Sequence, residues 1–260
     1  MERLSNLESL SGEAEAIVIV KAVPHVSKKH GETVCCAGID LHGNWLRLYP
    51  VSFRSLDHGQ KFGRWDKIHF KWRRPTDDAR IESRRVNQDS LEIVGELKKA
   101  ERQKFLAKRL VTSLEKERAA GRSLALLKAE ILEFKIEKRS EAELAKEVER
   151  FAALRRQIDL FNTKDIIPYH PCPYSFKYRY RTDDGEREGT CQDWETEAAF
   201  FNWEKEYGEA RTLSEMRRKF GEEWPEKGML LAMGTHSLYP DVWLINGVVR
   251  LDDIKQAALF

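Results

Sequence analysis

The run FKYRYR, residues 176–181, places Lys177, Arg179 and Arg181 on one face of an extended chain and Phe176, Tyr178 and Tyr180 on the other. Cations at every second position recur about 6.6 Å apart, close to the repeat of a stretched single-strand backbone, so such a face can follow phosphates. Residues 68–74 repeat the pattern: Ile68, Phe70 and Trp72 alternate with His69, Lys71 and Arg73, and Arg74 follows. Between residues 64 and 87 eight Lys/Arg stand against four acids. Lys71, Arg73, Arg74, Lys177, Arg179 and Arg181 are therefore the candidate nucleic-acid contacts. The plainer reading of both runs is a sheet strand with aromatics in the core and cations in water.

Asp193 and Glu195 suggest paired carboxylates, but two residues apart at a helix start they diverge by about 200° around the axis. Helix capping by Asp193 is the expected role, with Trp194 packed into the core of the second half. The seven histidines, His25, His30, His42, His58, His69, His170 and His236, are scattered, and none adjoins Ser or Cys in a nucleophile context. No catalytic residue is assigned. Of the four cysteines, Cys35 and Cys36 are adjacent and must point to opposite faces of a strand, which argues against a disulfide framework. His170, Cys172 and Cys191 supply three soft ligands where a structural zinc takes four, so neither metal nor cofactor is expected. The segment GQKFG, residues 59–63, matches neither a P-loop nor a dinucleotide fingerprint.

At 260 residues the chain is long enough for one large or two small cores. Lys+Arg 45 against Asp+Glu 43 excludes a general polycation, so anion binding requires local patches. The first apolar run, residues 16–23 interrupted by Lys21, is too short to span a membrane and lacks signal-peptide flanks. A cytoplasmic protein without a membrane partner is expected.

These side chains need a scaffold, and its clearest piece is residues 33–54, strand, His42-Gly43-Asn44 turn, strand. Residues 1–14 read as a short helix or arm. Residues 16–23 follow as a strand apolar on both faces, which belongs at the centre of a sheet. Strands at 68–74 and 81–86 complete a small barrel. Helical spacing of Leu91, Val94, Leu97, Phe105, Leu106, Leu110 and Leu114 predicts helix over 90–118. LLKAEI (126–131) looks helical, and a strand is placed at 131–138. A helix follows over 140–160, with Leu144, Val148, Phe151, Leu154 and Ile158 as its apolar stripe. Beyond the proline-rich 168–174 come a hairpin through about Thr190, helices at 193–207 and 214–220, and two closing strands.

The fragments KAVPHVSKKHGETVCCAGID, WLRLYPVSFRSL, DWE and MGTHSLYPDVWLINGV, in that order, resemble the dual OB-containing domain family of uncharacterised prokaryotic proteins. The resemblance spans nearly the whole chain and implies two OB-like barrels. The expected class is thus α+β: two small OB-like β-barrels with helices packed between and after them. Residues 1–90 form the first, 91–130 a helical connector, and 131–260 the second with inserted helices. OB barrels commonly read single-stranded nucleic acid. The leading expectation is a non-catalytic protein binding single-stranded or structured nucleic acid within a larger assembly. The alternatives are a nucleic-acid-processing enzyme using Asp193, Glu195 and His236, and an adaptor docking protein partners through the helices of 90–160.

Overall fold

The computed structural model describes residues 9–27, 31–159 and 169–250. Of the short helix or arm expected over residues 1–14, residues 1–8 lie outside the described residues, and from Ser11 the chain is already strand, paired along the strand Asp66–Arg73. Ser11–Lys21 (β1), His25–Ser27 (β2), Gly31–Asp40 (β3), Trp45–Val51 (β4), Asp66–Arg73 (β5) and Ser83–Val86 (β6) build the first half. Five of them close a ring in the order β1-β3-β4-β6-β5 and back to β1. Its β4–β6 pairing is parallel and its other four are antiparallel. This closed five-stranded barrel fits an OB-like fold. β2 extends the sheet from β3, and Glu92–Glu96 (β7) from β5.

The β3–β4 turn forms as its sequence predicts. Gly43 takes φ 94°, and the Asp40 carboxylate accepts from the Asn44 backbone N–H at 2.8 Å and its amide at 2.9 Å. Inside the barrel, Ala16, Val18, Val34, Cys36, Leu48, Ile68, Phe70 and Trp72 pack together. Phe53 and Phe62, from the β4–β5 connection, meet edge to face at 5.1 Å. Trp194 meets Phe53 at 5.4 Å and packs on this barrel core, not on the second core as expected. The reason is that the backbone at 192–193 is already bonded to the barrel: Val23 N–H donates to the Gln192 carbonyl at 2.8 Å and Ala22 bridges Asp193.

β1 is central in a stronger sense than sheet position. Ala16 and Val18 face the barrel interior, while Ile17, Ile19 and Val20 point outward into a separate core. A bulge between Val18 and Val20 lets the neighbours Ile19 and Val20 join the same outer cluster. That cluster is shared with Leu124, Leu126, Leu230, Ala232 and Val249 from the second half.

Residues 91–130 are not a helical connector. β7 adds to the barrel, Lys99–Ala107 (α1) packs Leu106 into the shared core, and Leu110–Val111 (β8), Leu114–Ala119 (α2) and Leu124–Leu127 (β9) follow. Leu91 and Ile93 touch the barrel core and obey a strand period, whereas Val94, counted in the helical pattern, is 40% exposed. LLKAEI was misleading because β9 is buried on both faces, and a doubly buried strand carries no alternation. Leu124 and Leu126 face the barrel; Ala125 and Leu127 face the other way.

Glu130–Lys138 (β10), Glu141–Asp159 (α3), Tyr174–Thr182 (β11), Gly185–Thr190 (β12), Trp194–Tyr207 (α4), Glu209–Met216 (α5), a π-helical stretch Arg217–Glu223, Trp224–Lys227 (α6), Met229–Thr235 (β13) and Trp243–Arg250 (β14) complete the described chain. β11 pairs with β12 across the expected hairpin, but the expected second barrel is not seen. Among the described residues the second half has a three-stranded sheet, β10-β11-β12, and a four-stranded sheet, β14-β13-β9-β8, joined by one bridge between Cys191 and Ile245. The four-stranded sheet serves as a shared layer: Leu230 and Ala232 of β13 face the barrel, and Met229, Leu231 and Met233 face Phe176, Tyr178, Phe200 and Phe220. Ile158 of the α3 stripe lies outside the described side chains. No helix among the described residues is long and apolar enough to cross a membrane.

Because the outer face of β1 is a core position, Ile19→Ala is expected to cost about 2–5 kcal/mol. Urea unfolding followed by tryptophan fluorescence should keep one transition, since both halves contribute to that core. Two separated transitions, or no loss, would contradict the shared core.

Candidate functional site

Where the apolar cover of the barrel ends, a cleft of about 890 Å³ opens between the halves. Its barrel side is the outer surface of β3 and β4 (Cys35, Arg47, Tyr49), the β1–β3 connection (residues 22–27) and the β5–β6 loop with Asp77, Asp78 and Arg80. Thr235, His236 and Asn246 of the β13–β14 hairpin and Glu147, Arg150 and Phe151 of α3 face them. In barrel order these are strands two and three with the one–two and four–five connections, the surface on which OB barrels hold oligonucleotides and oligosaccharides.

The floor is polar and buried. Arg47, 3% exposed, donates from Nη2 to the Ser123 carbonyl at 2.9 Å and hydroxyl at 3.3 Å, and from Nη1 to Cys35 Sγ at 3.7 Å. Ser123 in turn donates its N–H and its hydroxyl to the Glu82 carboxylate, each at 2.8 Å. Burial lowers the Arg47 pKa, yet a guanidinium stays charged in proteins. Arg47 Nε and Thr235 Oγ1 are buried without a hydrogen-bond partner. Gly234 keeps this floor open: a Cβ there would collide with the Asn246 amide and lie 3.4 Å from Arg47 Nη2.

The rim carries arginines and rings. Arg80 grips both oxygens of Asp78 at 2.8 and 2.7 Å and donates to the Thr235 carbonyl at 2.8 Å, tying the β5–β6 loop to the second half. Burial works to raise the Asp78 pKa, but donation from Arg80 and Ser83 outweighs it and the net shift is downward. Arg85 holds Asp77 at 2.8 Å, and Arg150 is exposed. The His25 and Tyr49 rings lie parallel within 5°, centroids 5.9 Å apart. The protein around His25 lowers its pKa. On the opposite lip His236 leans on Tyr239, which is 63% exposed.

The six sequence candidates fall in two places. On β11, Lys177 pairs with Glu137 at 2.7 Å, Arg179 with Glu133 at 3.4 Å and Glu186 at 3.3 Å, and Arg181 with Glu130 at 2.7 Å and Glu186 at 2.6 Å. These carboxylates come from β10 and β12, so the cationic face is part of a mixed-charge ladder away from the cleft. On β5, Lys71 lies 3.3 Å from Glu13 of β1. Arg73 is exposed and in register with Arg85 of β6, so both project from the barrel's outer surface beside the cleft. Arg74 bonds through its backbone N–H to the Leu10 carbonyl at 2.7 Å. Sequence reading missed Arg47, Tyr49, Arg80 and Arg150. A buried arginine at 47 in an otherwise apolar strand was the one local signal.

The carboxylates at 193 and 195 do not converge on the cleft. Asp193 caps α4 through the Glu195 N–H at 3.1 Å, accepts from the Val248 N–H at 2.8 Å and pairs with Arg64 at 2.9 Å. Arg64 also reaches Glu195 at 3.2 Å and donates to the Val248 carbonyl. Burial lowers the Arg64 pKa, but Asp193 and Glu195 more than compensate and the net shift is upward. Cys172 and Cys191 are free thiols in the second core, each pushed up to about 12 by burial. Among the described residues no three His, Cys, Asp or Glu side chains gather in a metal-binding group.

Behind α3 sits a second titratable cluster. Burial, and then the Glu147 charge, raise the Glu197 pKa to about 7, against Arg139 and the Tyr169 hydroxyl at 3.5 Å. Arg139 bonds Glu147, and Phe151 stacks on Tyr169 at 4.2 Å, which fixes the α3 wall of the cleft.

The family model Domain of unknown function (DUF8757) matches residues 103–260. The chain belongs to that family. Residues 12–110, the barrel and its exit into α1, match Domain of unknown function (DUF8758). The two matches overlap at α1 and β8, where the chain passes from barrel to shared sheet. No curated protein matches. Among solved structures, one titled "Molecular basis for abrogation of activation of pro-inflammatory cytokines" aligns at TM-score 0.31 and 8% identity, over 70% of this chain and 75% of that one. A likeness of that size carries no argument here.

Asp193→Ala removes a cap and strands a buried guanidinium. The expected loss is about 3 kcal/mol or more, beyond the roughly 0.5–2 of a cap alone, measured by urea denaturation. A loss under about 1 kcal/mol would contradict the pairing with Arg64. For Glu197, the neutral form is favoured by folding, so its stabilisation is present below the ordinary carboxylate range and lost as pH rises through about 7. Glu197→Gln should therefore melt progressively higher than the parent between pH 5 and pH 8, and a constant difference would contradict the assignment.

Proposed function

We propose that this protein binds single-stranded nucleic acid in the cleft between its two halves and catalyses no reaction on it. The observation carrying this reading is the cleft's position on strands two and three of a closed five-stranded barrel, flanked by the one–two and four–five connections. Arginines at the rim suit phosphates, the His25–Tyr49 pair offers a ring face, and Asn246 and Gln192 offer amides for base edges. The resemblance to the dual OB-containing domain family supports the same reading. The enzyme alternative has less support, because Asp193 is committed to a cap and an ion pair while His236 lies in the cleft. For an adaptor role the described residues of 90–160 offer little exposed apolar surface, chiefly Val94 and Val148.

Equilibrium binding of a fluorescent single strand as a function of salt tests the proposal. Each phosphate contact by a cation contributes about 0.7 to the log–log slope. Removing the exposed rim cation in Arg150→Ala should flatten the slope by about 0.7. The Lys177→Ala/Arg179→Ala/Arg181→Ala variant should keep the parent's slope, once circular dichroism has shown both variants folded. The reverse pattern would move the interface to β11, and absence of binding by the parent would overturn the proposal.

A further inference from the structure

We infer that the cleft receives the free end of a single strand and cannot hold the interior of a continuous one; this rests on the single-strand reading above. A barrel that threads a strand needs an open path across its second and third strands, and such barrels engage about 4–16 nucleotides each. Here that path is interrupted. Ala37 and Ile39 on the outer surface of β3 are 2% and 0% exposed, covered by Leu124, Leu126 and Ala232 of the shared sheet. The cover is pinned at the cleft's inner edge, where Arg47 Nη2 donates to the Ser123 carbonyl at 2.9 Å.

The side toward the β5–β6 loop is tied as well. Arg80 reaches across the cleft's edge to the Thr235 carbonyl at 2.8 Å while holding Asp78 on its own loop. These two contacts tie the cleft shut on its Ser123 side and on its Thr235 side. The remaining volume, about 890 Å³, falls within the roughly 300–1,000 Å³ of pockets that enclose a single small ligand. It suits a terminal nucleotide or two.

The test is competition between an internally labelled linear single-stranded DNA and its covalently circularised form of identical sequence, with a length series of linear strands. The linear form should bind at least ten-fold more tightly than the circle, and affinity should stop rising by about four nucleotides, the low end of the threading range. Equal affinity for circle and line, or affinity that climbs steadily with length, would overturn the inference and leave the cleft a threading groove. Binding of neither form would overturn the single-strand reading and this inference with it.

Discussion

The whole arrangement depends on β1 being buried on both faces. Ala16 and Val18 belong to the barrel, but Ile17, Ile19 and Val20 would stand in water if the barrel were alone, together with Ala37 and Ile39 of the next strand. An exposed apolar patch of that kind is a docking or aggregation surface. The chain covers it with its own β9, β13 and β14, whose other faces seal the second core. One intramolecular sheet thereby serves two cores, and the halves are bound into a single packed body. The cleft exists because this cover stops along β3, between Ala37 and the half-buried Cys35.

Charge is distributed to the same effect. The near balance of 45 basic and 43 acidic residues reappears locally, as Glu13 and Glu15 opposite Lys71 and Lys67, and as five glutamates around Lys135, Lys177, Arg179 and Arg181. Such exposed ladders contribute little stability and present no net field to an anion. Arg47 differs: its hydrogen bonds go to a carbonyl, a hydroxyl and a thiol, none to a carboxylate. Its charge is kept inside the protein at the base of the cleft, where screening by salt is weakest.

Much of this scaffold was legible in sequence. The β3–β4 hairpin, the FKYRYR hairpin, the α3 and α4 helices and the barrel's alternating strand at 68–74 follow from period, turn residues and capping alone. What sequence could not supply was cross-strand partnership. FKYRYR looks like a phosphate track until Glu130, Glu133, Glu137 and Glu186 are brought beside it, and those residues are distant or were assigned to a hairpin's return strand. At 124–127 burial on both faces erased the alternation that marks a strand. The cleft was invisible for the same reason: residues near positions 25, 47, 80, 150, 236 and 246 meet only through the shared sheet, and no spacing rule links them.

A ligand bound at the seam, as proposed, touches both halves at once. Amide hydrogen exchange with and without a short linear single strand should then show simultaneous protection of residues 22–27 and 75–80 on the barrel side and 235–246 on the opposite wall. Protection confined to residues 174–190, or restricted to one wall of the cleft, would contradict it.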